Sequence, residues 1–445
     1  MATTTPRPNT ADHATTWEIS GGSPLRGTIS AAGAKNAVTK LLVATLLTDE
    51  TCTLSNVPMI GEVDVTLRML AGLGAHFERQ GDTVTIQSRE LSPQVPTSYS
   101  GVNRIPILFL GPLLNRLGEA EVPLVGGCKI GSRPIDFHMS GLIAMGAEVT
   151  TEGDRMLARS KRLRGCHHRL PYPSVGATEN LLLAAVRARG TTVIEGAAME
   201  PEVIDLILFL QQMGAQVAID ADRKIVIEGV DQLHGGTHRV IPDRIEAASY
   251  AAAAIATGGE VTIIGARQID MLAYLNVLTR VGGRFSPTGE GLRFFRSGPL
   301  TPWHIETDVH PGFMTDWQQP TVVLLTQADG ASVIHETVYE NRFGYTRALV
   351  SMGANIQLSS QCLGRRTCRF VDGDFPHSAV VQGPTPLTPC DLTIPDLRAG
   401  FAYVLAALIA EGRSRLHNIQ YLERGYESIP DKLRALGVDV NVRDA

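Results

Sequence analysis

Apolar positions along the chain follow a helical period, then switch to alternation, and the switch repeats. In the first instance Val63, Leu67, Leu70 and Ala71 fall at i, i+4, i+7 and i+8, one face of a helix. Gly74 follows, where a helix C-terminus favours the left-handed conformation. Thr83-Val84-Thr85-Ile86 then alternates as a half-buried strand does. The phrase at the helix end returns as Leu73-Gly74-Ala75, Met145-Gly146-Ala147, Met213-Gly214-Ala215, Val281-Gly282-Gly283, Met352-Gly353-Ala354 and Leu436-Gly437-Val438. The gaps between its glycines are 72, 68, 68, 71 and 84 residues, so six units of about 70 residues account for nearly the whole chain.

Each unit has one grammar. A small-residue helix comes first, as in 40–47, 181–187, 248–256 and 401–410, and a β-rich stretch follows, as in 51–55, 191–195, 260–264, 332–335 and 413–417. A loop and the amphipathic helix ending at the glycine complete it. A unit of this size is too large for a solenoid repeat and small for a core of its own. Grouping three with three predicts an α/β protein of two domains, with the break between Val240 and Ile245.

Composition narrows the function classes. The chain has 445 residues, of which 44% are hydrophobic and 19% charged, and 44 are glycine. The net charge of −5 argues against a general basic nucleic-acid surface, including the inner face of a DNA clamp built from six α/β units. Apolar runs such as 399–410 are shorter than the ~18 residues a membrane span requires. Residues 1–16 are rich in Thr, Pro and Ala without an apolar stretch, which predicts a disordered tail and no secretory signal. The six cysteines, Cys52, Cys128, Cys166, Cys362, Cys368 and Cys390, make no disulfide framework for a chain this long, and the expected location is the cytoplasm. There is no CxxC pair or HExxH, so no metal site is expected, and Cys362 and Cys368 fit no recognised pattern.

Most of the candidate chemistry sits in one slot of the repeat, between the β stretch and the second helix. In unit two the slot reads Gly126-Gly127-Cys128-Lys129-Ile130-Gly131-Ser132-Arg133-Pro134, a flexible loop with a thiol among cations that would lower its pKa. In unit six it reads Glu423-Arg424-Gly425-Tyr426, and Arg424 stands 13 residues before Gly437 just as Arg133 stands 13 before Gly146. Two arginines facing each other across a cleft would grip a phosphate or carboxylate; as surface residues they would only make salt bridges. Unit five carries Glu340-Asn341-Arg342-Phe343, and unit three Glu200-Pro201-Glu202, which reads as the acidic start of a helix. Outside the slot, Gly33-Ala34-Lys35-Asn36 pairs a lysine with helix N-terminal amides. Asp316 precedes an apolar helix and, taken alone, reads as an N-cap.

These residues resemble those of the UDP-N-acetylglucosamine enolpyruvyl transferase (1-carboxyvinyltransferase) family, whose superfamily includes the shikimate-pathway enolpyruvyl transferase. The resemblance runs from about Ile19 to the C-terminus. It is carried by GAKNA at 33–37, GGCKIGSRPIDFH at 126–138, PSVGATEN at 173–180, PDRIEA at 242–247, TD at 315–316, ETVYENRF at 336–343, DLRAG at 396–400 and RGYE at 424–427.

The resemblance implies a two-domain inside-out α/β barrel, each domain built of three repeated α/β units. Residues 17–34 with 243–445 would form one domain and 35–242 the other, which carries the Cys128 loop as a lid. It implies transfer of the enolpyruvyl group of phosphoenolpyruvate to a hydroxyl of a uridine nucleotide with release of phosphate. Lys35, Asn36, Arg133, Arg398 and Arg424 would bind phosphoenolpyruvate, Cys128 would protonate its C3, and Asp316 would take the proton of the acceptor hydroxyl. Asn36, Arg104, Arg133, Pro134, Ile135, Asp136, Phe137, Ser174, Val175, Gly176, Asp316 and Val338 would hold the nucleotide. This chemistry balances without a cofactor or metal, and no nucleic-acid or membrane partner is expected.

Three departures fall near the acceptor. Arg104 is followed by Ile105-Pro106 where the family usually has Ala-Ser, so a backbone donor is lost. Tyr172 stands where some members have lysine, and Phe313-Met314-Thr315-Asp316-Trp317 is bulkier than usual. The expected acceptor is the 3-hydroxyl of UDP-N-acetylglucosamine, a step towards peptidoglycan. The alternative is the 3′-hydroxyl of UMP in nucleoside-antibiotic synthesis.

Overall fold

The computed structural model describes residues 15–124, 135–365 and 368–443. Among them the amphipathic helices end where the sequence pattern places their ends. Gly61–Gly72, Asp136–Ala144, Pro201–Gln212, Leu272–Val281, Thr346–Ser351 and Ile429–Ala435 each stop one or two residues before the repeated glycine. All six glycines have positive φ, from 87° to 105°. At Gly74 a Cβ would also lie 2.4 Å from the carbonyl oxygen of Glu90, so both the turn and the close approach require glycine.

The described strands form five four-stranded sheets and one three-stranded sheet. In a typical sheet the strand after the first helix pairs in parallel on one side and antiparallel on the other; Glu260–Ile264 lies between Arg26–Ser30 and Gly291–Arg296 in this way. The first strand, Thr16–Gly21, completes the sixth sheet by pairing with both Gly412–His417 and Asp439–Arg443. Thr16 therefore belongs to a strand and not to a tail; residues 1–14 lie outside the described part.

The helices lie inside the sheets. Every residue of Arg244–Ala256 and Gln318–Leu325 is buried, and so are twelve of the thirteen of Leu397–Ile409. A helix that is small and apolar on all sides is stable only when surrounded, and its alanines let neighbouring helices approach closely. Buried apolar residues form two clusters. One joins Trp17–Ala31 with positions from 247 to 440, and the other spans 34 to 240. Between the clusters two backbone segments run side by side: the Ala34 N–H donates to the Ile241 carbonyl at 2.7 Å, and the Asp243 N–H to that of Ala32 at 2.8 Å. No helix among the described residues is long and apolar enough to cross a membrane.

The buried helices start earlier than their apolar pattern suggests. They run Lys35–Ala44, Val175–Ala185, Arg244–Ala256 and Leu397–Ile409, so each gains a first turn that the apolar pattern leaves out. Those turns carry Lys35, Asn36, Thr178, Arg244 and Arg398. Side-chain caps at Ser174, Asp243 and Asp396 set three of the starts.

Candidate functional site

The polar first turns of the buried helices converge on one cavity of about 500 Å³ between the two clusters. Its wall includes Lys35 and Asn36, Ser174 to Gly176, Arg244, Leu397 and Arg398, all at helix starts, with Arg104 and Asp316 at the 3₁₀ turns that lead into Leu110–Leu117 and Gln318–Leu325. Helix N-termini present unpaired N–H groups and a partial positive charge, so their convergence makes the cavity receptive to anions before any side chain is counted.

Asp316 is not an N-cap. It lies inside the turn Thr315–Trp317, one oxygen on Arg342 and the other 3.3 Å from Nε of Arg398. Both guanidinium groups are buried, which opposes their charge, but Asp316 beside them raises the pKa of each on balance. Nη1 of Arg398 is buried without a hydrogen-bond partner, a spare donor in the cavity wall. Glu336 lies behind Asp316 and accepts from the Thr315 hydroxyl at 2.8 Å and the Val338 N–H at 2.9 Å.

On the opposite wall Arg424 donates to Glu62 from Nε at 3.2 Å and Nη2 at 3.0 Å. Burial pushes the Glu62 carboxyl up, but Lys35 and Arg424 together bring it below the ordinary value. Lys35, Arg398 and Arg424, far apart in the chain, thus share one cavity with the Asp316 carboxylate. Asn36, Arg104, Phe137, Ser174, Val175, Gly176 and Val338 also line it. Ile135 and Asp136 are not among its lining residues; they open the helix Asp136–Ala144, with Asp136 exposed. Cys128, Arg133 and Pro134, with Gly126, Gly127 and Gly131, lie outside the described residues.

Several groups at the cavity have no binding or chemical role in the sequence reading. Glu202, expected only as the acid of a helix start, is buried and accepts from Nε and Nη2 of Arg244, both at 3.0 Å. Glu179 is buried in the cavity floor with neither oxygen hydrogen-bonded and Nζ of Lys40 at 3.6 Å. Burial pushes its carboxyl up to about 7 against the partial opposition of Lys40. Its only sequence signal was a place in the PSVGATEN stretch, which assigned it no role. Arg369 also lines the cavity, with its guanidinium 4.5 Å from the ring centre of Tyr172.

Two of the departures from the family pattern reach the cavity only in part, through Ile105 and Met314. Pro106 lies in the first turn of Ile105–Phe109, where a missing N–H costs no helical hydrogen bond. Phe313 and Trp317 point into the core, packed on each other and on Tyr274, and leave Met314, Thr315 and Asp316 to face the cavity.

A family model described as EPSP synthase (3-phosphoshikimate 1-carboxyvinyltransferase) matches residues 19–433. The UDP-N-acetylglucosamine 1-carboxyvinyltransferase of Protochlamydia amoebophila (strain UWE25) is 51% identical over 435 residues, which is 96% of this chain and 94% of that protein. The protein of the same name from Chlamydia abortus (strain DSM 27085 / S26/3) is 51% identical over 432 residues, 96% of this chain and 97% of its own. Among solved structures, the enolpyruvyl transferase NikO from Streptomyces tendae superposes with a TM-score of 0.86 at 24% identity, covering 98% of this chain and 100% of that one. EPSP synthase from Acinetobacter baumannii gives 0.74 at 17% identity, covering 96% and 100%. At those identities the two structures establish the two-domain enolpyruvyl transferase fold and nothing about the acceptor.

Proposed function

The chain belongs to the EPSP synthase (3-phosphoshikimate 1-carboxyvinyltransferase) family, and from that premise we propose that it transfers the enolpyruvyl group of phosphoenolpyruvate to the 3-hydroxyl of UDP-N-acetylglucosamine. It is a transferase of the carboxyvinyl class. The acceptor is carried over from relatives about half identical along almost their whole length. The observation that carries the mechanism is the meeting of Lys35, Arg398, Arg424 and the Asp316 carboxylate in one cavity.

In this reading the phosphate and carboxylate of phosphoenolpyruvate lie among Lys35, Asn36, Arg133, Arg398 and Arg424, with the buried spare donor of Arg398 among the contacts. Cys128 delivers a proton to C3, which makes C2 electrophilic. The acceptor hydroxyl attacks C2 and gives its proton to Asp316. The tetrahedral adduct then loses phosphate from C2 and a proton from C3, which restores the double bond in the product. Arg342 and Arg398 hold the Asp316 carboxylate in place. Asn36, Arg104, Arg133, Pro134, Phe137, Ser174 to Gly176, Asp316 and Val338 take the nucleotide, whose phosphates suit the helix N-terminus at Val175. Residues 17–34 with 243–445 form one domain and 35–242 the other, and closure over the cavity excludes water. The protein works in the cytoplasm on small molecules, with no nucleic-acid or membrane partner.

The test is phosphate release from phosphoenolpyruvate with UDP-N-acetylglucosamine and UMP assayed side by side. Release with the first alone is expected. Release with UMP alone would replace the acceptor, and release with neither would remove the enzymatic reading for both acceptors.

A further inference from the structure

Far from any sequence pattern for metals, the structure gathers two cysteines and two histidines at the end of one sheet. A donor atom from each of His335, Cys362, Cys368 and His377 lies within 4.8 Å of the other three. Three of the four residues are buried. The sheet register makes the cluster: His335 ends the strand Gly330–His335 opposite Ser378, so His377 is brought beside it, and the loop between Ser359 and His377 carries both thiols across.

From these residues we propose a structural zinc site of the Cys₂His₂ type, formed by His335, Cys362, Cys368 and His377. The donor set is soft and tetrahedral in number, which favours Zn²⁺ over hard cations. The outer contacts orient the rings for it. Nδ1–H of His377 donates to the Phe375 carbonyl at 3.1 Å, which leaves Nε2 with a lone pair, 3.2 Å from Sγ of Cys362. Nδ1 of His335 is engaged with the Ser378 hydroxyl at 2.8 Å, and its Nε2 is buried without a hydrogen-bond partner. Such backing of the far ring nitrogen is what zinc-bound histidines show, and an orphaned buried nitrogen calls for a partner.

The loop is fitted to this arrangement. The Leu363 N–H donates to the same Ser378 hydroxyl at 3.2 Å, and the Phe370 N–H to Sγ of Cys368 at 3.3 Å. Gly364 passes so close over the His335 ring that a Cβ there would lie 2.3 Å from Cδ2. Phe370 and Phe375 pack edge-on around His377, and Cys362 is the one partly exposed member of the cluster. Bond lengths of ~2.0–2.3 Å place tetrahedral ligand atoms ~3.3–3.8 Å apart, a contraction that small side-chain rotations supply. Binding sends the two thiol protons to solvent and leaves a complex with no net charge, suited to a buried site. The site would pin the loop that bears Arg369, the residue after Cys368, against the cavity. The proposal does not depend on the reaction assigned above.

The experiment measures zinc by mass spectrometry in the untagged full chain, purified reduced and without chelator. About one zinc per chain is expected, falling at least tenfold in a Cys362→Ser, Cys368→Ser double variant and unchanged in Cys390→Ser. Titration of the reduced, metal-free wild-type chain with cobalt(II) should give the visible bands of a tetrahedral thiolate complex, a readout that stands even if the double variant does not fold. Less than about half a zinc per chain with no cobalt bands, the same zinc content in a folded double variant, or a Cys362–Cys368 disulfide in the purified chain would each overturn the proposal.

Discussion

At the cavity, the half of the molecule with residues 34–240 opens its helical segments with Lys35, Arg104 and Ser174. The half that holds 247–440 opens its own with Asp243, Asp316 and Asp396, of which the last two line the cavity. At these starts the first side places two cations and a neutral cap and the second three carboxylates, with Arg244 and Arg398 following Asp243 and Asp396 within two residues. Within the second side the three differ again. Asp243 accepts from the N–H groups of Ile245 and Glu246 at 2.7 and 3.1 Å, and Asp396 from those of Arg398 and Ala399 at 2.9 and 3.1 Å. These two hold their own helices. Asp316 sits inside a turn and turns its oxygens to Arg342 and Arg398 at the cavity wall. Acids near three helix starts are thus arranged in two ways, two capping their own helices and one held by arginines at the cavity wall.

Substitutions can break that contrast, beginning with the largest effect. Asp316→Asn should lower kcat by ~10²–10⁴-fold with a much smaller change in the KM for phosphoenolpyruvate. A kcat within a few-fold of wild type would leave Asp316 no different from the capping residues. Arg398→Lys keeps a charge but removes the fork and its spare donor. It should cut kcat/KM for phosphoenolpyruvate about 10–100-fold, the worth of a charge-assisted hydrogen bond, and an unchanged value would remove Arg398 from the anion site.

On the side of Lys35 and Arg104, Glu179 is a carboxyl whose pKa of about 7 in the folded chain exceeds the ordinary 4.5. Such a group contributes its stability fully below the lower value, and that contribution is lost as pH rises through the higher one. Glu179→Gln should therefore gain on wild type between pH 5 and pH 8, by on the order of 1–3 kcal/mol, in urea midpoints measured at both. A gap that stays constant with pH would show that the carboxyl is already charged at pH 5. Smallest is Asp243→Ala, which removes a cap and should cost about 1 kcal/mol of stability in the same measurement. If Asp316→Ala destabilised by the same amount through the same loss of helix, the two positions would be equivalent after all.

Much of the architecture was legible because it repeats. The six glycines close six helices, and strands such as Thr191–Glu195 and Glu260–Ile264 begin and end where alternation places them. The buried helices were cut short for a physical reason: their first turns are polar because they face the cavity, and an apolar pattern ends where a site begins. Arg398 is reached only through the resemblance to a family, whereas Lys35 also shows in the sequence as a lysine beside helix N-terminal amides. The ion pair of Glu202 with Arg244 joins residues 42 apart, and the His335 cluster depends on sheet register, so neither leaves a local trace. Trp317 shows the converse, since its bulk in the sequence suggested a crowded acceptor site and its side chain turns into the core.

The most direct measurement is the mass of the nucleotide after incubation with phosphoenolpyruvate, taken together with the phosphate released. UDP-N-acetylglucosamine should gain one enolpyruvyl unit for each phosphate, and the Asp316→Asn chain should yield almost none of it in the same time. Unmodified nucleotide with phosphate still released, or equal product from the Asp316→Asn chain, would contradict the account.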